Sequence, residues 1–87
     1  GESTGLRTIL QKYLAAADYA GAESKLQGFL NLRRSPYTEA RVRFYLAQAY
    51  YFQGLYEEAL FEFVLSQGQL YAPVQPWLES CFRHLWE

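Results

Sequence analysis

"LAQAYYFQGLYEEAL", Leu46 to Leu60, places one glycine inside a run that otherwise reads as helix. Before it, Val42, Tyr45, Leu46, Ala49, Tyr50 and Phe52 recur at the spacing of a helix with a buried stripe. After it come Tyr56, Ala59 and Phe63. Inside a helix glycine costs about 1 kcal/mol relative to alanine, whereas at a left-handed terminus it escapes the penalty other residues incur. Gly54 therefore reads as the end of one helix. Glu57 and Glu58 fall in the first turn of the next, where the helix dipole favours carboxylates.

Working outward, the same logic divides the chain into five helical segments. The pattern predicts helices over about 5–16 (Leu6, Ile9, Leu10, Tyr13, Leu14), 19–32 (Ala22, Leu26, Phe29, Leu30), 38–53 and 56–70. Asp18 is placed to cap the second helix, whose C-terminal end carries Arg33 and Arg34. Pro36 reads as a stop and Thr38 as a cap for the third. Pro73 and Pro76 break the chain again, and a last helix runs from Pro76 to the end. No stretch alternates with period two for long enough to predict a strand, so the expected class is all-α.

The segments repeat. Ala22 and Ala59 each follow an aromatic residue by three positions (Tyr19, Tyr56), precede an apolar one by four (Leu26, Phe63) and follow a tyrosine by nine (Tyr13, Tyr50). That is an internal period of 37 residues. Leu46-Ala47, Tyr50, Gly54, Tyr56, Ala59, Phe63 and the closing Pro73 resemble the tetratricopeptide repeat family. The match spans about 40–73; 3–36 resembles a second copy in which Leu10, Ala17 and Phe29 replace small residues, and Trp77, Cys81 and His84 resemble the opening of a third. The resemblance implies one domain over 1–87: antiparallel helix-turn-helix repeats at about 3–36 and 40–73, with a closing helix at about 75–87, in a short right-handed solenoid of five helices. Small Ala47 and Ala59 would let paired helices approach closely.

Composition limits function. At 87 residues, 51% hydrophobic and 18% aromatic, the chain is a single small domain whose core must come from dense packing. A formal net charge of −1 gives no global drive towards nucleic acid. Its distribution is uneven: residues 1–43 hold seven basic and four acidic side chains, residues 44–87 one and five. The chain is two-ended electrically. The lone Cys81 permits no internal disulfide, and no apolar run is long enough to span a bilayer. A start at Gly1 and the absence of methionine are expected of a piece of a longer protein.

Candidate chemistry is thin. Cys81 and His84 share a helix face, but nucleophilic catalysis requires a third group and a pocket. Glu57, Glu58 and Glu62 read as a solvated helix face, and the basic run Arg33, Arg34, Arg41, Arg43 is opposed by the acidic half. The expectation is a protein without enzymatic activity, cofactor, metal or nucleic-acid partner. In the family it resembles, first helices of each pair line a concave groove. Periodicity and resemblance together assign partner binding to Arg7 and Gln11, then Arg41, Phe44, Gln48 and Tyr51, then Leu78, Phe82 and Trp86, with Leu14 beside them. Trp77, Cys81 and Leu85 form one apolar stripe of the last helix and Leu78, Phe82, Trp86 a second, which a terminal helix cannot bury against one neighbour. Some family members clamp a terminal carboxylate with Lys, Asn and Arg; Arg7 and Gln11 begin that clamp here, but Tyr45, Gln75 and Glu79 stand in its later places. The expected function is an adaptor holding an apolar or aromatic peptide segment of another protein, with self-association as the alternative.

Overall fold

A computed structural model describes residues 2–32 and 34–87, so Arg33 of the expected basic run lies outside the described residues. The described residues form helices joined by short turns, with no strand among them. α1 (Glu2–Ile9) continues into a wider π-helical turn over Leu10–Leu14; α2 is Tyr19–Leu30, α3 Pro36–Phe52, α4 Tyr56–Ser66 and α5 Tyr71–Trp86.

Several boundaries differ from the sequence reading. α1 starts earlier, and its last turn is widened: the Ala15 N–H donates to the Leu10 carbonyl five residues back (2.8 Å). α3 begins at Pro36, which the sequence reading made a stop. A proline at the first helical position loses no bond, because that N–H has no partner within the helix. The cap is Ser35, whose hydroxyl accepts from the Thr38 N–H (3.3 Å). Asp18 caps α2 as expected, accepting from Gly21 (3.0 Å).

The last helix differs more: α5 starts at Tyr71, so Pro73, read as a break in the chain, and Pro76, read as the helix start, both lie inside it. Pro73 falls in the first turn, where its missing N–H is harmless. Only Pro76 removes a helical bond, the one that would reach the Ala72 carbonyl. The flanking turn is held by the Val74 N–H on Leu70 (3.1 Å) and by the Gln75 side-chain amide on the Tyr71 carbonyl (3.0 Å).

The two tight joints are built alike. At the first, Ala17 adopts φ +61° and the Asp18 N–H reaches the Tyr13 carbonyl (2.9 Å). At the second, Gly54 adopts φ +79° and the Leu55 N–H reaches Tyr50 (3.0 Å). Both close a helix with the left-handed residue that satisfies its last carbonyls. Every partner in the second joint lies 37 positions after its counterpart in the first.

The core repeats as well. One buried cluster joins Leu6, Ala22 and Leu26 to Val42, Leu46 and Ala49 of α3; the other joins Ala47, Ala59 and Phe63 to Val74, Leu78 and Cys81 of α5. α3 is therefore buried on two sides and belongs to both. α5 contributes Val74, Leu78 and Cys81 to its cluster at the same four- and three-residue spacing as Val42, Leu46 and Ala49 of α3, though not at the 37-residue offset of the joints, and the molecule is elongated, 41 × 27 × 18 Å.

Candidate functional site

Arg41, Phe44, Gln48 and Tyr51 recur at three- and four-residue spacing on one face of α3, all half-buried. The Phe44 ring meets Tyr45, Phe63 and Trp77 edge-on, with centroids 5.4, 5.8 and 6.4 Å away. Tyr51 meets Trp77 (5.3 Å) and His84 (5.6 Å) edge-on and hydrogen-bonds Ser80 through its hydroxyl. One flank of α5, carrying Trp77, Ser80 and His84, thus lies over this strip. Arg41 stands 6.0 Å from the Tyr37 ring, and Arg7 and Gln11 are exposed on the first helix and its π turn.

The remaining predicted site residues are elsewhere. Leu78 is 8% exposed and sits in the second core cluster, so it is not part of an open surface. Phe82 and Trp86 are 48% and 68% exposed, their ring centroids 5.3 Å apart. Successive residues of a helix turn by about 100°, which puts Phe82 and Trp86 roughly 140° and 180° around α5 from Trp77. A single trough of Phe44, Tyr51, Phe82 and Trp86 does not form. Trp77 takes the inner place instead, its ring stacked on Phe63 at 5.4 Å. Phe82 and Trp86 share their flank with Gln75, whose amide donates to the Gln67 side chain at the end of α4 (3.3 Å).

Cys81 is fully buried, and burial pushes its thiol up to about 11, so it is protonated at neutral pH. The His84 ring stacks parallel on Tyr56 at 4.0 Å. Among the described residues no group of three or more His, Cys, Asp or Glu is placed to hold a metal ion, and no helix is long and apolar enough to cross a membrane.

On the opposite side of α3, Arg43 donates to the nearly buried Glu62 (2.8 Å) and approaches Glu39 (3.5 Å). Burial alone would lower the guanidinium pKa, but the bond to Glu62 and the charges of both glutamates hold it above its usual value. Beside this pair a cleft of about 280 Å³ opens over Tyr50, walled by Glu57, Glu58, Phe61 and Glu62. Burial, first, and the charges of Glu23, Glu62 and Glu58 raise the Tyr50 phenol, against a bond from Gln27 (2.7 Å). The sequence reading missed the apolar edge of this cleft. Phe61, Val64 and Leu65 are exposed at helical spacing on α4, away from buried Ala59 and Phe63, so a second stripe was there to be read.

No family model matches the chain, and neither a curated protein nor a solved structure matches it.

Proposed function

We propose that the chain is a repeat module of the tetratricopeptide type that acts as an adaptor, holding an apolar or aromatic segment of another protein. The paired joints at Ala17 and Gly54 and the doubled core clusters support the repeat reading. The binding edge is the outer flank of α5. One observation carries this: Phe82 and Trp86 place two large rings side by side in water on a well-packed helix. Such a pair offers rigid apolar area at little entropic cost, the property that makes aromatic residues recurrent interface anchors. The half-open strip of Arg41, Phe44, Gln48 and Tyr51 is the secondary surface, partly shielded by α5.

Selection from a random-peptide display library, followed by titration of the enriched peptides, tests the assignment. Peptides with aromatic or aliphatic anchors are expected, and Phe82→Ala/Trp86→Ala should weaken them by about 30-fold or more, the equivalent of one ~2 kcal/mol anchor. Undiminished binding by a variant with unchanged helical content would reject the edge.

A further inference from the structure

We infer that the face carried by α2 and α4 binds a second copy of this chain through a closed two-fold contact, independently of the α5 edge. The 37-residue equivalence of the two joints places Ser24, Lys25 and Gly28 of α2 where α4 has Phe61, Glu62 and Leu65, and Tyr13 where α3 has Tyr50.

These equivalent places are opposite in both charge and shape. Around Tyr13 stand two ammonium groups, Lys12 and Lys25, 5.8 and 5.9 Å from the ring. Around Tyr50 stand Glu57, Glu58 and Glu62. No ion pair among the described residues engages Lys12, Lys25, Glu57 or Glu58. The apolar relief is also complementary: α4 projects Phe61, 61% exposed, and Leu65, whereas α2 has exposed Ser24 and Gly28, the latter with nothing within 4 Å of where a Cβ would stand. One unit supplies large apolar side chains and carboxylates, the other small residues that leave room for them and ammonium groups.

Because both patches belong to one chain, a two-fold axis between them pairs each with its complement in the second copy, twice over. Closed pairing of this kind leaves no patch unsatisfied and stops at two copies, the commonest outcome for soluble assemblies. Exposed apolar stripes with a charged rim mark such contacts. Charge–charge attraction across an exposed rim is screened over roughly 10 Å at 0.1 M salt, so the pairing weakens as salt rises.

Sedimentation equilibrium across a concentration series, at low and at high salt, reads this directly. At low salt the average mass should climb from 10.1 kDa towards twice that value and level off; high salt should shift the rise to higher concentration. Lys25→Glu and Glu58→Lys should each reduce association at least tenfold, and the two together should restore it, since reversed charges meet again across the axis. Phe61→Ser should abolish it in either salt. All three positions are exposed, and unchanged circular dichroism with an unchanged denaturation midpoint verifies the fold. A monomer at every concentration, a mass that passes beyond the dimer, or a double reversal that stays monomeric overturns the inference.

Discussion

Ala17 and Gly54 hold the same left-handed backbone conformation, φ +61° and +79°, at the same point of two helix joints 37 residues apart. One is a glycine and the other is not. A side chain in this region costs roughly 1 kcal/mol, because Cβ crowds the neighbouring carbonyl. Ala17→Gly should therefore stabilise the protein by about 0.5–1 kcal/mol, and Gly54→Ala should destabilise it by about 1 kcal/mol, although open space surrounds that position. Denaturant midpoints of the two variants give the answer; opposite signs are required.

Breaking the Arg43–Glu62 bond should be more costly than its Arg43–Glu39 neighbour. Glu62 is almost buried, so Arg43→Met leaves its carboxylate poorly solvated, and a loss of about 2 kcal/mol is expected. Glu39 is about half exposed and one helical turn away from Arg43, so Glu39→Gln should change stability by about 0.5 kcal/mol or less. Arg43→Met combined with Glu62→Leu should recover much of the single-variant loss in a double-mutant cycle.

The Cys81 thiol gives a pH signature. Its folded-state pKa, raised by burial to about 11, stands above the unfolded value of roughly 8.5, so its contribution to stability is fully present below about pH 8.5 and is lost as pH rises towards 11. The loss is on the order of 3 kcal/mol. Cys81→Ala should have lower stability at neutral pH, from the cavity it leaves, but a shallower decline across that alkaline window. Parallel stability curves for the two proteins would contradict the burial argument.

Pro76 is exposed and lies inside α5, where its ring removes the bond to the Ala72 carbonyl. Pro76→Ala restores that bond at an exposed position. Stabilisation of about 1–3 kcal/mol is expected in thermal and denaturant unfolding. Destabilisation would mean that the proline sets the path of the helix into α4.

Which parts of this structure were legible in the sequence follows from which interactions are local. Helical periodicity, the Asp18 cap and the Gly54 joint depend on neighbours a few residues away, and all were readable. All three prolines were misread, at two helix starts and for one reason: the meaning of a proline depends on where the helix begins. Ser35 and Leu70 set those starts, through a hydroxyl at one end and a carbonyl at the other. The half-buried strip of α3 and the flank of α5 over it were legible only in part. Which flank of α5 turns inward depends on Trp77 finding Phe63 and on Ser80 and His84 finding Tyr51, pairings between side chains 14 to 33 residues apart. Spacing alone put Leu78 with Phe82 and Trp86; packing separated it from them.

Titrating a selected aromatic-anchored peptide into the isotopically labelled protein and following backbone amide shifts shows whether the outer flank of α5 is the partner-binding edge. The largest shifts are expected at Phe82, Trp86 and their neighbours on that flank, with smaller ones along Phe44 and Tyr51. Shifts confined to Lys25, Glu58 and Phe61, or absent from α5 altogether, would contradict it.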